Sequence, residues 1–230
     1  MSLILQIETA TSCCSVALAK GGNILAVREI NERNIHAEVI TKFIEDVAAV
    51  AGIPLSDLDA VAVSCGPGSY TGLRIGVSVA KGLCFALEIP LIAVDTLEAM
   101  VYGAIVKEKY NGDEPILLCP MIDARRMEVF TAVFNTAAVQ KKPTAAEIIN
   151  ETSFAGLLEN NRILFFGDGA EKCRGVLSGN ANAHFLQGFN NSAAHLTQTA
   201  FKKFEENKFE DVGYFEPFYL KDFIAGKKAG

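Results

Sequence analysis

Apolar positions come in short blocks separated by glycine, proline and polar clusters. Residues 3–9, 14–20 and 24–30 are short and aliphatic, and predict three strands. Gly21-Gly22-Asn23 supplies a tight turn between the second and third. The period then changes: Val39, Ile40, Phe43, Ile44 and Val47 predict an amphipathic helix over 36–51, which Gly52 and Pro54 stop. A valine-rich strand over 58–64, a Gly66-Pro67-Gly68 loop and a helix over 71–87 follow, with Ser69 or Thr71 as the cap. Next come a strand over 91–94 and a helix from Asp95 or Thr96 to Val106.

The second half predicts strands over 116–122 and 127–134 around a turn at 123–126, then a loop over 140–144 and a short helix over 145–150. A strand over 162–166 leads through Gly167-Asp168-Gly169 into a helix from Ala170. Leu196, Ala200, Phe201 and Phe204 mark one face of a helix over 193–206, and 215–220 reads as extended. This order predicts an α/β fold with mixed sheets flanked by helices. The polar stretch 107–115, with Asn111-Gly112, divides it into lobes of 1–107 and 108–230, the last segment free to pack back on the first lobe. No internal repeat is visible, and Lys227-Lys228 reads as a solvated end.

The glycine loop and its helix carry the densest signal. A glycine turn feeding a helix N-terminus suits an anion. The loop lacks both the P-loop Gly-Lys-Ser/Thr ending and the Rossmann spacing, so a tight turn without a ligand is the simpler reading. Within the helix, Gly72, Gly76 and Ala80 form a smooth stripe beside an apolar row of Ile75, Val79 and Leu83. Interior glycine disfavours a helix by about 1 kcal/mol against alanine, so the stripe predicts close approach of another backbone, from the chain's own sheet or a partner helix. The expected interface residues are Gly72, Arg74, Ile75, Gly76, Val79, Ala80 and Leu83, with Val39, Ile40 and Phe43 from the helix over 36–51.

Composition narrows the functional classes. Half of the 230 residues are hydrophobic and the net charge is −6, which disfavours an independent nucleic-acid binder. The six cysteines form no Cys-x-x-Cys pair and read as buried thiols in a reducing cytoplasm. Leu3-Ile4-Leu5 is too short a run for an export signal, and no stretch predicts a membrane span. The histidines His36, His184 and His195 are scattered, which excludes the common zinc motifs; His36 reads as a surface or capping residue. No Gly-x-Ser-x-Gly elbow is present.

Gly66-Pro67-Gly68-Ser69-Tyr70-Thr71-Gly72-Leu73-Arg74-Ile75-Gly76 resembles the signature of the TsaB (YeaZ) family of bacterial tRNA threonylcarbamoyladenosine synthesis. Ile122-Asp123-Ala124-Arg125 is similar to that family's Ile-Asp-Ala-Arg block, which makes Asp123, Arg125 and Glu128 candidate motif residues. The resemblance implies a two-lobed, actin-like ATPase (ribonuclease H-like) fold. It implies a non-catalytic scaffold supporting a TsaD-like transferase, with a TsaE-like ATPase in the same complex. tRNA is then held through the complex rather than directly, and the chain alone forms a homodimer. It also implies a vestigial nucleotide site at Glu8, Thr9, Thr11 and Ser12 with Gly66, Gly68, Gly167 and Gly169. The expectation is no cofactor on the chain alone and ATP or ADP at a shared complex interface. Two departures stand out: Glu8 replaces the usual Asp, and Ala10 stands where actin-like ATPases place glycine. Thr96 and Met100 align with the paralogue's two histidine ligands, so no metal is expected. The alternatives are an autonomous actin-like ATPase or small-molecule kinase and, last, a glycoprotease-like peptidase.

Overall fold

The computed structural model describes residues 1–111 and 115–221. Lys227-Lys228 lies outside the described residues, as does part of the boundary expected around Asn111-Gly112. The first half runs β1 (Leu3–Glu8), β2 (Cys13–Lys20), β3 (Asn23–Asn31), α1 (His36–Ala51), β4 (Ala60–Ser64), α2 (Tyr70–Leu87), β5 (Leu91–Val94) and α3 (Thr96–Glu108). The second runs β6 (Ile116–Asp123), β7 (Glu128–Asn135), β8 (Gln140–Ile148), α4 (Ala155–Leu158), β9 (Arg162–Phe166), α5 (Ala170–Leu177), β10 (Ala183–Phe185) and α6 (Thr197–Glu205).

The two halves repeat one topology. The first sheet has the order β3-β2-β1-β4-β5 and the second β8-β7-β6-β9-β10. In each, the first three strands pair antiparallel and the last two add parallel. The sequence shows no repeat because only the pairing pattern is shared, not the side chains.

Strand alternation sorts the first sheet into two buried faces. Leu3, Leu5 and Ile7 pack with Val61 and Val63 under α1 and α2. Ile4, Ala60, Ala62 and Ile92 face the other way, onto Leu196, Ala200 and Phe201. The last helix of each half therefore crosses over: α6 lies on the first sheet, while Leu97, Met100, Val101 and Ala104 of α3 pack on the second. α4 and α5 cover the remaining face through Leu158, Cys173 and Leu177.

Residues 140–148 correct the expectation of a loop and a short helix. They form the edge strand β8, paired antiparallel with β7 from Glu128↔Ile148 to Phe134↔Gln140. The ladder offered by β7 outweighs the weak strand propensity of Lys-Lys-Pro-Thr-Ala-Ala. Pro143 falls where the register shifts, so its missing N–H breaks no regular pair. The short α4 and β10 carry too few residues for a periodic signal and were not predicted. No helix among the described residues is long and apolar enough to cross a membrane.

Candidate functional site: the strand-end turns and the α1–α2 face

β1 ends at Glu8, whose side chain lies on the inner face with Gln6 and Ser64. Glu8 is almost fully buried, at 1% exposure. Its Oε1 accepts the Ala10 N–H at 2.6 Å and the Ser64 hydroxyl at 3.1 Å, and Asn191 adds a side-chain hydrogen bond. Burial pushes this carboxyl up to about 7, and the hydrogen bonds only partly offset that rise. The group is folded back on its own turn.

Of the neighbouring candidates, Thr11 and Ser12 are engaged locally as well. Thr11 accepts the Cys13 N–H at 3.3 Å, and Ser12 donates to Asn31 at 2.7 Å. Thr9 Oγ1 is buried without a hydrogen-bond partner and lies against Gly76. His36, expected as a surface or capping residue, is buried at the start of α1, and its Nε2 lies 2.9 Å from the Thr11 carbonyl. It ties the start of α1 to the β1–β2 turn.

The glycine loops close on the chain itself. A Cβ on Gly68 would sit 2.5 Å from the Ala10 carbonyl oxygen and 2.7 Å from the Ala10 Cβ. Gly66, at φ +117°, is approached by the Phe218 carbonyl. The second lobe repeats the arrangement: a Cβ on Gly169 would sit 2.9 Å from the Ile122 carbonyl carbon, and one on Gly167 would meet the Met121 carbonyl. Each of these four glycines lies against backbone of its own chain, where an added Cβ would collide.

The turn equivalent to β1–β2 in the second lobe is 124–127. Asp123 donates its backbone N–H to Asp168 at 2.9 Å and accepts the Arg125 N–H at 2.8 Å. Lys172 pairs with Asp123 and donates to the Glu128 carbonyl at 2.6 Å, while Lys221 pairs with the Glu128 carboxylate. Against partial burial, Lys172 and the Arg125 N–H hold the Asp123 carboxyl below its usual range. Asp123 and Glu128 thus meet through lysines, and Arg125 contributes its backbone to the turn. Asn191 and Lys172 carry no local sequence signal, because each is an ordinary polar residue remote in sequence from what it binds.

The α2 stripe needs the largest correction. Ser69 caps α2, accepting the Gly72 N–H at 3.3 Å. Cβ atoms on Gly72 and Gly76 would collide with the Thr9 carbonyl and the Thr9 hydroxyl, and Ala80 and Ile40 are fully buried. The stripe packs on the chain's own β1, where Gly72, Gly76 and Ala80 are buried, while the buried Ile40 lies under the gap between α1 and α2. Val39, Phe43, Ile75, Val79 and Leu83 are half-buried and Arg74 is exposed. Between the two helices lies a cleft of about 500 Å³ lined by Ala37, Ile40, Thr41, Tyr70, Thr71, Arg74, Ile75, Ser78 and Val79.

Thr96 and Met100 are buried, and Thr96 Oγ1 accepts the Gly66 N–H at 3.1 Å. Among the described residues no group of three His, Cys, Asp or Glu side chains is close enough to hold a metal. Cys65 is half-buried beside the loop, and burial pushes its thiol up to about 12.

A family model described as TsaD, tRNA N6-adenosine threonylcarbamoyltransferase, matches residues 26–215. The Escherichia coli (strain K12) tRNA threonylcarbamoyladenosine biosynthesis protein TsaB is 33% identical over 98% of this chain and 97% of its own length. The Haemophilus influenzae TsaB is 35% identical over 55% of this chain and 51% of its own. YeaZ from Pseudomonas aeruginosa shares the fold at a TM-score of 0.81 and 24% identity, covering 96% of this chain and 100% of that one. With a family model over most of its length and a full-length relative at one-third identity, the chain belongs to the TsaB (YeaZ) family.

Proposed function

We propose that this chain is a non-catalytic scaffold subunit in tRNA threonylcarbamoyladenosine biosynthesis, supporting a TsaD-like transferase. The observation that carries the reading is the closure of both strand-end turns. Ala10 occupies the space beside Gly68, and Glu8 points inward onto the Ala10 amide. A phosphate approaching the Gly66–Gly68 loop would meet a filled turn and a carboxyl that is half-neutral near pH 7. The activity of such a subunit lies in what it binds, and the α1–α2 cleft offers an apolar surface of the right kind.

In this reading a TsaD-like subunit occupies the cleft in the complex, and a second copy of the chain occupies it when that subunit is absent. A TsaE-like ATPase joins the assembly, with ATP or ADP held where subunits meet. Most of the grip on tRNA comes from the partners, in keeping with the net charge of −6. Co-expression with the TsaD-like protein of the same cell tests it: the tagged chain is expected to retain that protein on a column. The double variant Ile75→Glu/Val79→Glu is expected to release it while keeping its fold. Retention unchanged by the double variant would overturn the assignment of the cleft.

A further inference from the structure

We infer that a strip running from α2 to the β6–β7 turn binds RNA directly, through a pair of half-buried tyrosine rings and exposed arginine guanidinium groups. It begins at Arg74, whose guanidinium lies 5.3 Å from the Tyr70 ring centre. The Tyr70 ring packs on Tyr219 of the tail, centres 4.8 Å apart. The tail is anchored under this pair: Lys81 donates to the Gly213 and Phe215 carbonyls at 3.2 and 3.0 Å, and the Phe218 N–H donates to Cys65 at 2.7 Å. Two residues beyond Tyr219, Lys221 reaches Glu128 at the foot of the β6–β7 turn. Arg125 and Arg126 form the exposed tip of that turn.

Three observations distinguish the strip from an ordinary solvated surface. First, two of its carboxylates at the turn are already paired, Asp123 with Lys172 and Glu128 with Lys221, and a third, Asp168, accepts the Asp123 backbone N–H. Arg125 and Arg126 form no ion pair among the described residues, and Arg33 adds positive charge close enough to act on Asp123. Second, both turn arginines hold left-handed backbone, at φ 72° and 48°, where glycine or asparagine fits better. Side chains kept at strained positions mark a requirement that folding alone does not impose. Third, aromatic rings alternate with the cations. Guanidinium forks match phosphate oxygens, and the parts of the half-buried Tyr70 and Tyr219 rings left uncovered can take an unpaired base. An acidic peptide would use the charge but not the rings. Glu216 lines the same pocket as Tyr70 and Tyr219 and places a carboxylate at the aromatic end.

This rests on the tRNA-modification reading only for the choice of probe. Binding of a fluorescent tRNA anticodon stem-loop by the full chain, read by anisotropy at about 50 mM salt, is the test. Arg125→Glu/Arg126→Glu is expected to weaken binding about tenfold or more and to flatten the salt dependence by about 1.4 in log–log slope, for two phosphates on a single strand. Arg125→Asn/Arg126→Gly is expected to raise the melting temperature by relieving the strain while still weakening RNA binding, a split that a purely structural role would not give. Tyr219→Leu is expected to weaken binding with no change in salt slope. Unchanged affinity in both arginine variants overturns the inference, as does equal competition by polyglutamate, which would make an acidic protein the partner. If the chain retains its TsaD-like partner yet binds no RNA, the strip fails and the scaffold reading stands. If RNA binding falls in the arginine variants but no partner is retained, the strip stands and the scaffold reading fails.

Discussion

Glu8 shows how one residue changes meaning once its surroundings are known. At the end of β1 it stands at the expected vestigial nucleotide site, yet its carboxyl is buried among Ala10, Ser64 and Asn191 and raised from 4.5 to about 7. Because the folded state holds this proton more tightly than the unfolded chain, the stability that Glu8 contributes is fully present below pH 4.5 and is lost as pH rises through about 7. The loss attributable to Glu8 is about 3 kcal/mol. Asp95, raised by burial to about 6, contributes in the same direction. Glu8→Gln keeps the acceptor for Ala10 and removes the titration. Urea unfolding at pH 5 and pH 8 is expected to show the variant gaining on the wild type at the higher pH. Parallel pH profiles for the two proteins would contradict the burial argument. The thiols follow the same logic: burial lifts Cys13, Cys14 and Cys119 up to about 12, so thiol reagents are expected to label them only after unfolding.

At the scale of one element, α2 divides its glycines between two roles. Gly72 faces the Thr9 carbonyl, whereas Gly82 is exposed with nothing within 4 Å of a Cβ. Gly72→Ala is therefore expected to destabilise by about 3 kcal/mol, lowering the melting temperature by about 10 °C. Gly82→Ala is expected to stabilise by about 1 kcal/mol. Calorimetry on the two single variants separates the roles, and equal shifts of one sign would refute them. Glycine-rich spacing thus announced a close approach, but it marked the contact of α2 with β1. The apolar row of Ile75, Val79 and Leu83 sits a quarter turn away, and its Ile75 and Val79 line the α1–α2 cleft instead. Loss of partner retention in Ile75→Glu/Val79→Glu belongs to this scale too, because both side chains are only half-buried and charge there spares the core.

For the whole molecule, the exchange of α3 and α6 is the governing feature. Each sheet has one face covered by a helix from the other half, so neither half contains its own complete core. The fragment 1–111 lacks Leu196, Ala200 and Phe201, leaving Ile4, Ala62 and Ile92 bare. It is expected to bind a hydrophobic dye and to melt without a sharp transition, whereas the full chain unfolds in one cooperative step. A sharp calorimetric transition for the fragment alone would show that the crossover is dispensable. The closed turns act at this scale as well. The isolated chain is expected to show no magnesium-dependent ATP hydrolysis above background, and robust turnover would revive the autonomous ATPase reading.

Local periodicity was enough to place most strands and helices, because the 2.0 and 3.6 repeats survive wherever one face is buried. α1 begins and ends where its apolar spacing and Gly52 indicate, and Ser69 and Asp95 cap α2 and α3. The strand β8 was illegible because an edge strand takes its conformation from the neighbour that pairs with it. The repeated topology was illegible because pairing order leaves no trace in side-chain identity. For the candidate site, the sequence determined which residues stand at the strand ends and that the α2 stripe must lie close to something. Only the tertiary structure decided that this something is Thr9, that Ala10 fills the loop, and that Asn191 closes over Glu8. Those contacts join residues remote in sequence, and local patterns carry no record of which distant surface a small or polar side chain will meet.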